Sequence, residues 1–167
     1  MSFVRVKTIK GNKYGYLVEN TWQGKGSRQT VKGYLGKVIV PTANPAGVAP
    51  DITQLSFQDS VLTLARWTLE NHGFAADTGK HTQETVTFDH ASKAVLNKTK
   101  NAVLQLNEGF LCQHTMTQLL NFVGEGTREE EVGQRLANTL LEAGISVPHD
   151  TFVQLFTKIF KPLPEQQ

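Results

Sequence analysis

Basic and aromatic side chains alternate along the first 40 residues of the chain, and these residue types bind nucleic acid. Lysine and arginine neutralise phosphates and release counterions, and tyrosine rings stack on unpaired bases. The candidate nucleic-acid-binding residues are Arg5, Lys7, Tyr14, Tyr16, Lys25, Arg28, Lys32 and Tyr34. This set predicts binding of DNA or RNA rather than catalysis.

Charge is divided unevenly along the chain. The first 40 residues hold eight basic side chains and one acidic side chain, Glu19, whereas the remainder holds nine basic and 14 acidic side chains. The first segment is therefore +7 and the rest −5, within a net charge of +2. A basic module on an acidic body is typical of polyanion binding. An ordinary solvated sheet face is the alternative, although such a surface generally mixes both signs.

Other reactive residue types are sparse. Cys112 and His114 form a Cys-x-His pair, but a structural zinc site needs about four ligands, and no second cysteine or close histidine pair supplies them. The remaining histidines are scattered at positions 72, 81, 90 and 149. We therefore expect no catalytic residue, no metal and no cofactor. A small enzyme remains a third alternative, since folding could bring distant residues together.

Length and hydropathy are typical of a cytoplasmic protein. The 167 residues, 39% of them hydrophobic, suffice for one domain or two small ones. No apolar run approaches the roughly 18 residues of a membrane span, and the first ten residues lack the apolar segment of a secretory signal. The single cysteine agrees with a reducing compartment. We expect a cytoplasmic location and no membrane partner.

Three antiparallel strands are predicted at the amino terminus, over about 2–10, 13–21 and 27–36. Val4 and Val6 alternate with Arg5 and Lys7, which is the pattern of a half-buried strand, and Gly11-Asn12 favours a hairpin turn. If the aliphatic residues face a core, the period of two places the candidate basic and tyrosine residues on the outer face. Lys25 would extend from the loop that follows the second strand.

Three prolines, at positions 41, 45 and 50, predict a linker over 41–55 between a basic β module (1–40) and a mixed, mainly helical body (56–167). Apolar spacing predicts a helix at about 57–72, a loop at 75–81 and a small β element at 84–107. Helices are also predicted at about 110–122, 128–143 and 149–160. Capping boxes at Ser56 and Thr127 support two of these starts. The expected fold is α+β: an N-terminal three-stranded antiparallel sheet, a Pro-rich linker, then a helix, a small β element and three C-terminal helices.

The last helix is rich in phenylalanine. Phe152, Phe156 and Phe160 suit a core or a partner surface better than a recognition helix, which should offer more polar side chains to base edges. Aromatic clusters also anchor protein interfaces. The alternative function is therefore a protein-interaction or assembly module, with a protein partner or self-association through the C-terminal helices.

A family resemblance is carried by these runs: Phe3-Val4-Arg5-Val6-Lys7, Ile9-Lys10-Gly11, Tyr14, Tyr16-Leu17-Val18-Glu19, Arg28-Gln29, Val31 and Tyr34-Leu35-Gly36-Lys37. This segment of about 40 residues resembles the short module that opens some insertion-sequence transposases of the DDE class, and the start of small uncharacterised archaeal proteins. The resemblance implies a DNA-associated, β-rich module. Transposase activity is not expected, because the remaining chain is too short for the catalytic fold and its aspartates suggest no metal-binding triad.

Overall fold

The computed structural model describes residues 2–162, and its fold is α+β. Strands β1 (Ser2–Ile9), β2 (Asn12–Trp22) and β3 (Ser27–Ile39) precede helix α1 (Phe57–Asn71). Six short strands follow: β4 (Ala75–Asp77), β5 (Lys80–Gln83), β6 (Val86–Asp89), β7 (Val95–Asn97), β8 (Lys100–Leu106) and β9 (Gly109–Leu111). The chain continues through α2 (Gln113–Leu120), β10 (Glu125–Gly126), α3 (Glu129–Glu142), α4 (His149–Ile159) and β11 (Lys161–Pro162).

Nine of these strands form one sheet in the order β1-β2-β3-β8-β7-β6-β5-β4, with β9 pairing on β8. Neighbours are antiparallel except β3 and β8, which run parallel through the pairs Lys37 with Ala102, Val38 with Val103 and Ile39 with Leu104. Strands β10 and β11 form a separate parallel pair. The N-terminal strands are therefore continuous with the rest of the sheet.

The expected arrangement of a three-stranded sheet followed by a mainly helical body is wrong, although the α+β class is confirmed. Six further strands join the three N-terminal ones, and they begin in a segment expected to be a loop: residues 75–81 contain β4 and the start of β5. The expected helix at 110–122 also begins later, because residues 109–111 form β9 and the helix starts at Gln113.

The small β element expected at 84–107 is present as β6, β7 and β8, whereas β4, β5 and β9 were not predicted. Strands of three or four residues are too short to display a clear alternation. The turns that join β5 to β6 and β8 to β9 also use non-glycine residues with positive φ, at Glu84 (54°) and Asn107 (52°). Such residues adopt this backbone region only a few per cent of the time, so the sequence lacks the usual glycine signal there.

The other three helices lie within one residue of their expected bounds. Ser56 caps α1 by accepting a hydrogen bond from the Asp59 backbone N–H at 3.1 Å. The expected capping box at Thr127 is not formed, because Arg128 occupies the N-cap of α3 and its side chain makes no capping bond. Glu129, Glu130 and Glu131 nevertheless occupy the first turn of α3, where the helix dipole favours acidic residues.

Strand β8 is buried on both faces. Ala102 and Leu104 belong to the main core, which also draws apolar residues from β6, β7, β9 and all four helices. Val103, which points to the opposite face, packs with Val38 and Cys112 in a second cluster. Partly buried residues surround this second cluster: Val4, Val6, Leu35 and Phe110. The aliphatic side of the N-terminal strands therefore has a core of its own.

The proline-containing segment after β3 is irregular and anchored at several points. Residues 40–52 form neither helix nor strand. The Asn44 N–H donates to the Asn71 carbonyl at 2.8 Å, Ile52 is fully buried, and Lys158 Nζ donates to the Leu55 carbonyl at 2.8 Å. These contacts hold the segment against the end of α1 and against α4.

Candidate nucleic-acid interface

Five of the eight candidate residues share one face of the N-terminal sheet. Residues paired across antiparallel strands point to the same side, and the register pairs Arg5 with Tyr16, Lys7 with Tyr14, and Tyr16 with Tyr34. Lys37 pairs with Tyr14 and joins them, although the sequence analysis did not select it. We name this surface the tyrosine face: Arg5, Lys7, Tyr14, Tyr16, Tyr34 and Lys37.

The three tyrosine rings form a compact cluster. The Tyr34 ring centroid lies 5.3 Å from that of Tyr16 and 6.4 Å from that of Tyr14, in tilted arrangements. Lys7 Nζ lies 5.0 Å from the Tyr16 ring centroid, within cation–π range. Tyr34 remains 58% exposed. Desolvation, followed by the neighbouring Tyr16 and Tyr14, raises the pKa of Tyr34, so its hydroxyl stays protonated at neutral pH.

Arg5 spans the face from β1 to β3. Its guanidinium donates to the side-chain oxygen of Gln29, two strands away. Val18 lies on β2 between these two residues and is only 1% exposed, which agrees with its position beneath the hydrogen bond from Arg5 to Gln29. The Arg5 side chain is therefore held across the sheet, where its remaining N–H groups can donate to a ligand.

Arg28 and Lys32 lie on the opposite face. The pairing of β2 with β3 shifts at two points, between Gly15 and Tyr16 and between Leu17 and Val18, and each shift interrupts the alternation of β3. Lys32 Nζ consequently lies 2.8 Å from a Glu19 carboxylate oxygen, and this hydrogen bond and charge lower the pKa of Glu19. Arg28 pairs with Thr21, on the same side as Glu19. The expected single basic face is thus divided.

The hairpin of β2 and β3 extends beyond β1, because β1 pairs with β2 only as far as Glu19. We name residues 22–26, at the far end of this hairpin, the ribbon tip. Lys25 lies in its loop, between Gly24 and Gly26, and is exposed. Trp22 is 77% exposed, and by alternation it lies on the same side as Tyr14 and Tyr16. Trp22 was expected in the connection after β2, but it is the last residue of that strand. Its even spacing from Tyr14 and Tyr16 could have indicated that it shares their side.

A second polar cluster joins α1 to the small hairpins. His81 Nε2 lies 3.0 Å from a carboxylate oxygen of Glu70, and His81 Nδ1 lies 2.7 Å from His90 Nε2. His81 is buried, whereas Glu70 is 53% exposed and His90 is half-buried. We name Glu70, His81 and His90 the histidine chain. These histidines are scattered in the sequence, and the pairing of β5 with β6 and their packing on α1 bring them together.

Cys112 and His114 lie at the start of α2, where Cys112 is the N-cap residue. The Cys112 side chain is buried, and its Sγ lies 3.7 Å from Thr115 Oγ1. Burial lowers the pKa of His114, whose Nε2 has no hydrogen-bond partner in the part of the chain that the structure describes. Among the same residues, no group of three or more histidine, cysteine, aspartate or glutamate side chains is arranged to hold a metal ion.

The C-terminal phenylalanines pack within this chain. Phe156 stacks between Phe152 and Phe160, with centroid distances of 6.5 Å and 5.1 Å. Phe156 belongs to the main core, and the other two rings pack against it. These rings stabilise the position of α4, while Phe152 and Phe160 remain partly exposed.

Comparison with known proteins adds no relative. No protein-family model, curated protein or solved structure matches this chain. The resemblance of its first 40 residues to transposase modules therefore remains a prediction. Within residues 2–162, no helix is long and apolar enough to cross a lipid bilayer.

Proposed function

We propose that this protein binds nucleic acid, DNA or RNA, through the tyrosine face and the adjoining ribbon tip, without catalysing a reaction there. The observation that carries the proposal is the sorting of charge between the two sides of the N-terminal strands. Glu19, the acidic residue among the first 40, lies on the side of Lys32, whereas Arg5, Lys7 and Lys37 surround the tyrosines.

Basic side chains and tyrosine rings on one surface match the phosphate and the base of a nucleotide, respectively. Arg5, Lys7 and Lys37 can neutralise phosphates, with a favourable entropy from released counterions. The exposed Tyr34 ring can stack on an unpaired base, which is worth about 1–3 kcal/mol per base. Lys25 and Trp22 continue both properties towards the ribbon tip. A ribbon of two strands also fits the dimensions of a major groove, so duplex binding is the competing mode.

A matched pair of variants tests this proposal. The double substitution Arg5→Gln and Lys7→Gln removes two charges from the tyrosine face, and Arg28→Gln with Lys32→Gln removes two from the opposite side. Binding of a labelled single-stranded oligonucleotide would be measured by fluorescence anisotropy between about 50 and 200 mM salt, where electrostatic contacts change steeply. We expect the first variant to bind more weakly, with a salt slope smaller by about 1.4, since each single-strand phosphate contact contributes about 0.7.

The second variant should retain most of the affinity and slope. Equal losses in both variants would show that net charge, rather than this face, attracts the ligand. Absence of binding by the unmodified protein to DNA and to RNA at about 50 mM salt would overturn the proposal.

A further inference from the structure

The histidine chain has the arrangement of an activated nucleophile: a reactive group, a base and a group that orients the base. Glu70 comes from the last turn of α1, His81 from β5, and His90 from the turn after β6. The two contacts of 3.0 Å and 2.7 Å are within hydrogen-bonding distance. Three separate elements therefore position one continuous series of polar atoms.

The positions of the protons in the histidine chain follow from the carboxylate of Glu70 at one end of it. The Glu70 carboxylate accepts, so His81 Nε2 carries the proton and donates. In the neutral ring His81 Nδ1 is then the acceptor, and His90 Nε2–H donates to it. This leaves the lone pair on His90 Nδ1. Within residues 2–162 nothing hydrogen-bonds that atom, and it is not among the buried polar atoms without partners, so it reaches solvent.

Charged groups surround His90 on several sides. Arg66 from α1 and Lys93 from the same turn lie close enough to disfavour a cationic ring, and Lys93 Nζ donates to the His90 carbonyl. Desolvation, followed by Arg66, His81 and Lys93, lowers the pKa of His90, and Asp89 opposes the shift. The Asp89 carboxylate is engaged by the Ala91 and Ser92 N–H groups at 2.8 Å and 3.1 Å. His90 is therefore neutral at neutral pH and has a cationic neighbourhood.

We propose that His90 is a phosphoryl-accepting nucleophile, with His81 as its general base and Glu70 as a positioning residue. The donor is an acyl phosphate. Nδ1 attacks phosphorus, the N–P bond forms, and the P–O bond breaks with its electron pair leaving on the carboxylate. The Nε2 proton of His90 passes to His81 Nδ1, and Glu70 stabilises the resulting imidazolium.

Phosphoryl rather than acyl transfer follows from the surroundings of His90. Transfer of a phosphoryl group develops charge on three equatorial oxygens, which arginine and lysine side chains stabilise. Lys93 Nζ donates to the His90 carbonyl and so lies on the residue that carries the attacking nitrogen, and the charge of Arg66 acts on the same ring. Acyl transfer would place one negative charge on a single tetrahedral oxygen, whereas phosphoryl transfer spreads charge over three oxygens, so two cations favour the phosphoryl route.

Acetyl phosphate tests the proposal, because it offers phosphorus and carbonyl carbon in one molecule. The full chain would be incubated with it, and the modification of each histidine would be followed by mass spectrometry of peptides. His149 is exposed at the start of α4 and serves as the internal reference. We expect His90 to be phosphorylated at least about tenfold faster than His149, a fraction of the 10²–10⁴-fold that general bases commonly contribute.

Glu70→Gln is the decisive variant, because the partly exposed carboxylate can be replaced by an isosteric amide without disturbing packing. The rate at His90 should fall about tenfold, and the pH midpoint of modification should move lower, because the carboxylate that stabilises imidazolium is lost. The rate at His149 should not change. Arg66→Gln should also slow His90 while leaving His149 unaffected.

Equal rates at His90 and His149 in the unmodified protein would overturn the assignment. An unchanged rate and pH midpoint in Glu70→Gln, or acetylation of His90 without phosphorylation, would do the same. Oligonucleotide binding is a separate readout, so neither result depends on the other.

Discussion

At the residue scale, the candidate surface depends on which way each β3 side chain points. Tyr34 comes to lie beside Tyr14 and Tyr16, whereas Lys32 pairs with Glu19 on the other side. Both outcomes result from the register shift between Leu17 and Val18, which falls between Val31 and Gly33 on β3. The rings and the cations near them therefore form a mixed surface in which stacking and charge can be separated by substitution.

Removal of two rings tests stacking. The variant Tyr16→Ala with Tyr34→Ala should weaken single-strand binding by about 1–3 kcal/mol for each ring that stacks on a base. Duplex binding should change less, since paired bases are not available to the rings. Anisotropy titrations of matched single-stranded and duplex oligonucleotides would measure the difference.

The variant Tyr16→Phe with Tyr34→Phe is the control, because it keeps both rings and should retain most of the affinity. Equal losses on the two substrates would indicate backbone or groove contacts. Unchanged binding to both would assign the tyrosines to packing alone.

At the element scale, β3 connects the N-terminal strands to the rest of the sheet. Gly36 has a φ of 123°, and a Cβ there would lie 2.1 Å from the Asn101 carbonyl oxygen. The close approach occurs next to the Lys37–Ala102 pair, where the parallel pairing with β8 begins. Glycine at this position is therefore a requirement for joining β3 to β8.

Gly36→Ala should destabilise the protein by at least about 3 kcal/mol, because positive φ and a backbone clash act together. Urea unfolding followed by circular dichroism would measure the free energy of unfolding. Gly33→Ala is the matched control in the same strand, since nothing lies within 4 Å of a Cβ built there. Its effect should stay within about 1 kcal/mol, and similar losses in the two variants would contradict the role assigned to Gly36.

At the scale of the whole molecule, two features link the N-terminal strands to the body. The sheet continues from β3 into β8, and the cluster around Val103 packs against Val4 and Val6 from β1. The anchored segment after β3 adds the bonds from Asn44 to Asn71 and from Lys158 to Leu55. These contacts favour cooperation between the segment 1–40 and the segment 56–167, which the sequence had suggested as separate regions.

We therefore expect one cooperative unfolding transition for the entire chain. Tyrosine and tryptophan signals report on the unfolding of different parts of the protein. Tyr14, Tyr16 and Tyr34 lie in the N-terminal strands, and Trp67 lies in α1. In a Trp22→Phe variant, Trp67 is the remaining tryptophan. Urea midpoints from Trp67 fluorescence and from near-ultraviolet tyrosine signals should coincide. Two separate midpoints would support an independent N-terminal module.

Local patterns sufficed for the features that depend on neighbours along the chain. Apolar residues at helical spacing located α1, α3 and α4 within one residue, and Ser56 was identified as a cap from its spacing to Asp59. The alternation of Arg5 and Lys7 with Val4 and Val6 placed β1 correctly, with its aliphatic side in a cluster. The charge difference between the first 40 residues and the rest is likewise a property of the sequence alone.

Tertiary structure decided whatever depends on pairing between distant segments. A period of two specifies sides only while the register is unbroken, so the shift between Val31 and Gly33 of β3 moved Arg28 and Lys32 away from Tyr34. The parallel pairing of β3 with β8 joins residues more than 60 positions apart, and no local preference encodes it. Glu70, His81 and His90 became one hydrogen-bonded chain for the same reason: their proximity results from strand pairing and packing on α1, which act only in the folded molecule.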